Sequence, residues 1–248
     1  PWNVRGPVGM SAMSFGALGE NAISSISYGL GMATGSWVHT GEGGLAPYHT
    51  IGGGDVIMQI GSGSFGVRNK DGTFSWEKFK EKAENPQLRA FEIKLAQGAK
   101  IRGGHVEGSK INEEIAEIRG VEAWKTVDSP NRHNQFHDLP TLFDFIDEMR
   151  EVGGKPVGIK MVMGGPDSAD DIAKFMSDTG RGPDYITVDG GEGGSGATYQ
   201  EMADSMGMPI KSAIIYCDDA LRKNNVRDRV KLFASGKLFS PDKIAIAL

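Results

Sequence analysis

The sequence predicts a parallel β/α barrel of the (β/α)8 TIM type, truncated before its last β/α unit. Two observations carry this expectation. Strand-like and helix-like segments alternate along almost the whole chain, and several strand segments run out directly into glycine-rich loops. Alternation of this kind is the signature of βαβ units, and a barrel collects the ends of its strands at one mouth, where ligands bind. A doubly wound open sheet is the competing arrangement, but no G-x-G-x-x-G opens a first βα turn.

Gly6–Met13 reads as the first strand, entering a loop at Ser14-Phe15-Gly16-Ala17. From Leu18 to about Gly31, Ile23, Ile26 and Leu30 recur at helical spacing. Ser36–His39 and Asp55–Ile60 are the next strands, and helix Trp76–Ala83 stops ahead of Pro86. Phe91–Leu95 is a fourth strand. Behind it, a polar, glycine-containing insertion runs to about Asp138 and holds one short helix, Glu113–Ile118. From Pro140 the alternation tightens: helix Thr141–Arg150, strand Pro156–Met161, helix Ser168–Asp178, strand Asp184–Val188, a helix over about Ser212–Lys223, strand Val230–Ala234, and a helix from Asp242. Seven strands are thus expected in a single domain over residues 1–248, with the eighth unit beyond Leu248. An incomplete ring leaves two strand edges unpaired, so poor stability in isolation is expected.

The composition sets limits. With 248 residues, 39% of them hydrophobic, the chain can bury a substantial core. A net charge of −5 and the absence of a basic stripe argue against nucleic acid as a partner. The run from Arg222-Lys223 to Arg227-Asp228-Arg229 reads as a solvated helix end. The single cysteine, Cys217, excludes an internal disulfide and is too little to hold a zinc ion or an iron–sulfur cluster, so no metal site is expected in this segment. With no secretory signal and no apolar run of about eighteen residues, the expectation is a cytoplasmic protein without a membrane span.

The thirty-six glycines concentrate after strands. Three platforms stand out: Thr40-Gly41-Glu42-Gly43-Gly44, Gln59-Ile60-Gly61-Ser62-Gly63-Ser64-Phe65-Gly66-Val67, and Val188-Asp189-Gly190-Gly191-Glu192-Gly193-Gly194-Ser195-Gly196-Ala197. Bare backbone at a strand end lets N–H groups approach an anionic or planar ligand.

These platforms belong to an ordered series with Met13–Ala17, Lys94-Leu95-Ala96-Gln97-Gly98-Ala99-Lys100, Ile159-Lys160, and Leu221 with Arg227–Arg229. The series resembles the FMN-binding synthase domain of glutamate synthase, and more closely the shorter FMN-binding glutamate synthase family proteins. The resemblance implies an oxidoreductase in which FMN reduces 2-iminoglutarate, formed from 2-oxoglutarate and ammonia, to glutamate. By that resemblance Ser14, Phe15, Gly16, Ala17, Gln59, Ser62, Asp189, Gly190, Gly191, Gly193 and Gly194 border the flavin, and Gly236 helps hold its phosphate. Lys160 supplies a cation to the negative N1 and O2 region of the reduced ring. Lys94, Gln97 and Lys100, from the 2-oxoglutarate motif, bring two charges and an amide to a dicarboxylate. Glu42 orients the imino nitrogen or a lysine, or passes a proton. Glu42, Lys94, Lys100 and Lys160 are therefore the catalytic candidates.

Other polar residues receive plainer readings. His39 reads as a satisfied core histidine, Glu192 as a turn acid without an assigned role, and His133 as a residue that orders the insertion. The eleven methionines read as core filler.

The pattern also departs from the family. The large subunits of glutamate synthase carry a substrate-binding arginine where this chain has Ser64. Arg102, in a segment one residue shorter than the family's, is the candidate replacement and an added substrate ligand. The family's iron–sulfur cysteines follow the last barrel strand, so a cluster is expected only outside this segment. Cys217 lacks a glutaminase motif, so ammonia arrives free or through a partner glutaminase, and an electron-donor subunit is the other implied partner. The competing readings are an N-methylglutamate-forming transferase subunit, a non-catalytic flavin-binding electron-relay module, and a barrel without flavin.

Overall fold

A computed structural model describes residues 2–33, 35–99, 104–194 and 200–248. Its strands are β1 (Trp37–His39), β2 (Asp55–Ile60), β3 (Leu88–Lys94), a small antiparallel pair β4 (His105–Val106) and β5 (Val127–Asp128), then β6 (Val157–Met161), β7 (Tyr185–Asp189) and β8 (Lys231–Ser235). Six of these form one parallel sheet in the order β1-β2-β3-β6-β7-β8. The helices are α1 (Phe15–Leu18), α2 (Glu20–Met32), α3 (Pro47–Thr50), α4 (Trp76–Ala83), α5 (Glu113–Arg119), α6 (Leu139–Gly153), α7 (Asp170–Thr179), α8 (Ile210–Lys223) and α9 (Pro241–Ala247).

The sheet curls into the barrel form. β1 and β8 stand at opposite ends of the strand order, yet the Trp37 and Phe233 rings meet edge-on with centroids 5.2 Å apart. Trp37, Ile57, Ala90, Tyr185 and Phe233 make an apolar layer inside the curl. Trp2 and Val4 pack against that layer, and the Trp2 indole donates to Asp55 Oδ2 at 2.8 Å. The other face of the sheet meets the helices in a larger core that includes Val38, Met58, Phe91, Phe143, Ile159, Ile186 and Leu221. Burial on both faces explains why Val56–Met58 is a continuous apolar run.

The first predicted strand does not form. Gly6–Met13 runs as a strap with single backbone bonds, Gly6 N to Gly35 O at 2.9 Å and Met10 N to Trp37 O at 3.0 Å. On its other side Ser11 Oγ meets Ser235 Oγ at 2.9 Å, so the strap lies between β1 and β8. Pro7 lacks an N–H donor. Gly9 rests on the Trp37 indole, where a Cβ would come within 2.2 Å of the ring. That close stacking takes the place of a ladder.

Smaller differences have local causes. Phe15–Leu18 is a helical turn rather than a loop, separated from α2 by Gly19 at φ +81°. Helix α6 starts at Leu139 because Asp138 caps it, accepting from Thr141 N at 2.9 Å with Pro140 in the first turn. The insertion contains the β4–β5 pair as well as α5, whose cap Asn112 accepts from Ile115 N at 2.9 Å. Among the described residues no helix is long and apolar enough to cross a membrane.

Candidate functional site

The carboxyl ends of β3, β6, β7 and β8 bring Lys94, Lys160, Asp189 and Ser235 to one mouth. Lys94 Nζ donates to Glu42 Oε1 at 2.5 Å and to Gln97 Oε1 at 2.9 Å, and Gln97 Nε2 donates to Gly194 O at 2.8 Å. One polar chain thus crosses the mouth from the loop after β1 to the loop after β7. Gly61 makes room for it, since a Cβ there would lie 2.1 Å from Glu42 Oε2. The Lys94 side chain is 9% exposed, so the pair with Glu42 is largely desolvated and depends on staying matched.

On the facing side, the Lys160 ammonium lies 3.6 Å from Asp189 Oδ2 and makes no hydrogen bond with any described residue. Lys160 is 4% exposed. Asp189 is itself held by Gly98 N at 2.8 Å and Ser235 Oγ at 2.7 Å. A Cβ on Gly98 would fall 1.7 Å from Gly190 O, so the loop carrying Gln97 and the β7 platform touch backbone to backbone.

Beneath this layer sits Glu92, 1% exposed. Its Oε1 accepts from Gln59 Nε2 at 2.6 Å and faces His39 Nε2 at 3.1 Å, while Oε2 accepts from Thr187 Oγ1 at 2.5 Å. Burial pushes the carboxyl upward, but His39, Lys160 and Thr187 outweigh it and hold the group at about 2. His39 Nδ1 accepts from Gly41 N at 3.2 Å, which leaves the ring proton on Nε2, pointing at Glu92. His39 is therefore the satisfied core histidine expected.

The residue that sequence reasoning missed is Arg119, at the end of α5 and 6% exposed. Its guanidinium lies 5.2 Å from the Phe65 ring centroid, and its Nη2 is 2.7 Å from where a Cβ on Gly16 would stand and 3.6 Å from one on Gly43. It makes no hydrogen bond or ion pair with a described residue. Burial pulls its ionisation down and the Glu42 charge opposes that. Ser64 Oγ, also buried, has no partner among the described residues. In sequence Arg119 looks like an ordinary last-turn cation ahead of Gly120. Only the fold shows it turned inward over two glycines.

The remaining candidates fall as follows. Phe15 is buried against Tyr48, with ring centroids 4.8 Å apart, and Gly16 lies under Arg119, so the Ser14–Ala17 turn flanks the guanidinium. Gln59 lies below the mouth with its amide committed to Glu92, and Ser62 Oγ donates to Pro130 O at 2.5 Å. Gly190 and Gly191 are packed tightly against Ile210 and the Gly207 carbonyl, whereas a Cβ on Gly194 would meet nothing within 4 Å. Gly236, at φ +136°, abuts Gly190. Lys100 and Arg102 lie outside the described residues. The Glu192 carboxylate accepts from Ile210 N at 3.0 Å and so caps α8. Burial lifts the Cys217 thiol to about 12, which disqualifies it as a nucleophile. No cluster of metal-ligating side chains occurs among the described residues.

Beside the mouth a cleft of about 490 Å³ runs under the insertion, with Leu95, Phe136, Leu139 and Leu142 in its wall and Glu42 and Lys94 at one end. His133 lines it, with Nε2 2.9 Å from Lys94 O.

A family model described as a conserved region in glutamate synthase matches residues 1–248. The chain belongs to that family. It is 54% identical over its full length to the glutamate synthase large subunit-like protein YerD of Bacillus subtilis, of which it spans 47%. It is 32% identical to the archaeal-type glutamate synthase (NADPH) of Thermotoga maritima, with 93% of this chain and 42% of the relative aligned. The archaeal enzyme of Methanocaldococcus jannaschii is 33% identical with the same coverage, 93% and 42%. The chain therefore spans about half the length of these relatives. Among solved structures, a mutant flavocytochrome b2 with benzoylformate superposes with a TM-score of 0.58 at 13% identity, covering 98% of this chain and 55% of that one, which establishes the fold alone.

Proposed function

We propose that this chain is the synthase-type domain of a flavin oxidoreductase that reduces 2-iminoglutarate, formed from 2-oxoglutarate and ammonia, to glutamate, with FMN as its cofactor. The observation that carries the reading is the presence, at one mouth, of two buried cations whose donors no described residue takes: the Lys160 ammonium and the Arg119 guanidinium. Cations held on largely buried side chains suit anionic ligands, which supply the charge and acceptors that no described side chain gives.

The residues present fit a flavin. Lys160 stands beside the β7 platform, the backbone at Gly194 is open, and Gly236 is the candidate for the phosphate. When bound, flavin supplies the two-electron chemistry. Lys160 would face the ring's negative end, Gly193 and Gly194 would offer main chain to it, and the Ser14–Ala17 turn would border it.

The substrate would lie across from this seat. Arg119 offers a planar fork matched to a carboxylate. Lys94 holds Gln97 and Glu42 in one hydrogen-bonded chain, so the substrate's polar atoms meet an ordered rim. Lys100 and Arg102 are further candidates for its second carboxylate. Glu42, fixed by Lys94, is the acid–base candidate for the reacting nitrogen. Ammonia and electrons would come from solution or from glutaminase and electron-donor subunits, and the cytoplasm is the proposed compartment.

The deciding experiment is an absorption spectrum of the purified intact protein, followed by turnover with 2-oxoglutarate, ammonium and a reductant. Bound flavin and glutamate formation are expected. A colourless protein that takes up no FMN overturns the reading.

A further inference from the structure

The polar layer below the mouth contains more negative charge than it needs for its hydrogen bonds. Lys160 lies 3.6 Å from Asp189 and its charge also acts on Glu92, while Lys94 is matched with Glu42. His39 meets Glu92 through Nε2 and receives the Gly41 N–H on Nδ1. Glu92 is a wholly buried carboxylate, and its negative charge is separable from its hydrogen bonds. The layer would not require it for structure: a glutamine at position 92 would accept from Gln59 and His39 through its oxygen and donate to Thr187 Oγ1 through its nitrogen, without the desolvation of a charge.

We infer that Glu92 is an electrostatic tuning residue, a fixed negative charge beneath the flavin seat that opposes Lys160 and makes the bound flavin harder to reduce. The inference rests on the flavin reading above. Glu92 itself lies in the layer below, hydrogen-bonded to His39, Gln59 and Thr187, so its effect would pass through the low-dielectric barrel interior rather than through contact with the ring. Lys160 and Glu92 would then act in opposite directions on the same equilibrium.

The test is the reduction potential of the flavin in the intact protein, measured by dye equilibration. Glu92→Gln is expected to shift it to a more positive value and Lys160→Met to a more negative one. Thr187→Val removes a hydrogen bond and no charge, and is expected to move the potential less than Glu92→Gln while still lowering thermal stability. Should Glu92→Gln alone not fold, Glu92→Gln/Lys160→Met removes both buried charges together, and its potential is expected above that of Lys160→Met. A flavin-loaded Glu92→Gln variant with a potential at or below wild type overturns the inference while leaving the flavin reading intact. Wild-type protein that binds no flavin overturns both.

Discussion

The Tyr185 hydroxyl donates to the Phe91 carbonyl oxygen at 2.8 Å, joining β7 to β3 across the intervening strand β6. Thr187 makes the same crossing to Glu92. Tyr185 is able to do so because β6 carries glycine at position 158, the register partner of Glu92. A Cβ on Gly158 would lie 2.3 Å from the Tyr185 ring.

Gly158→Ala is therefore expected to displace Tyr185 and loosen the polar layer that it supports. Overpacking of this kind costs about 1–3 kcal/mol, and the lost hydrogen bond adds to that. Urea unfolding of the variant beside wild type measures it. A change within about 0.5 kcal/mol, the range of an ordinary surface substitution, would refute the account of the glycine.

Most of the barrel was legible in the sequence because fully buried parallel strands are short apolar runs bounded by glycine, as at Asp55–Ile60 and Tyr185–Asp189. Gly6–Met13 reads as a strand as well but does not pair as one, because Pro7 has no donor for a ladder and Gly9 lies over the Trp37 indole. The platforms were read correctly as strand-end loops, yet much of their glycine answers internal packing: Gly61 clears Glu42, Gly98 clears Gly190, and Gly191 clears Gly207. Composition cannot separate a glycine that admits a ligand from one that admits a neighbouring chain segment. Arg119 escaped for the converse reason, since its inward turn depends on the docking of α5, through the bond from Tyr48 Oη to Glu114 at 2.7 Å and that from Gly66 N to Arg119 O at 3.1 Å.

His49 gives the fold an acid limit. It is fully buried, with Nδ1 accepting from Ala46 N at 3.1 Å and Nε2 facing Met13 O at 3.4 Å. Burial lowers its ionisation from 6.5 to about 4. The unfolded chain therefore takes up the proton first as the pH falls, so the stabilisation present above 6.5 is lost progressively down to about 4. A shift of that size corresponds to roughly 3 kcal/mol. Stability measured in urea between these limits should fall more steeply for wild type than for His49→Gln, and parallel curves would contradict the assignment.

Cys217 predicts an inert thiol. It is wholly buried on α8, and its ionisation is raised to about 12 by that burial and by Asp218, with Arg227 opposing. A thiol-specific reagent at pH 8 should leave the native protein unmodified and react with one equivalent after denaturation. Rapid labelling of the native state would mean that α8 does not pack as described.

Arg119 separates binding from stability. Removing most buried partners destabilises a fold, but a buried guanidinium with no hydrogen bond to a described residue is a site of stored desolvation cost, and a methionine of similar length would shed it. Arg119→Met is therefore expected to unfold at the same temperature as wild type or higher and, on the proposed function, to keep its flavin. Its KM for 2-oxoglutarate should rise by about tenfold to a hundredfold, the equivalent of the roughly 1.5–3 kcal/mol carried by a hydrogen bond to a charged group. Arg119→Lys restores the charge without the fork and should recover only part of that loss. If both variants lose stability and leave KM unchanged, the guanidinium serves the packing of α5 against Phe65 and not the substrate.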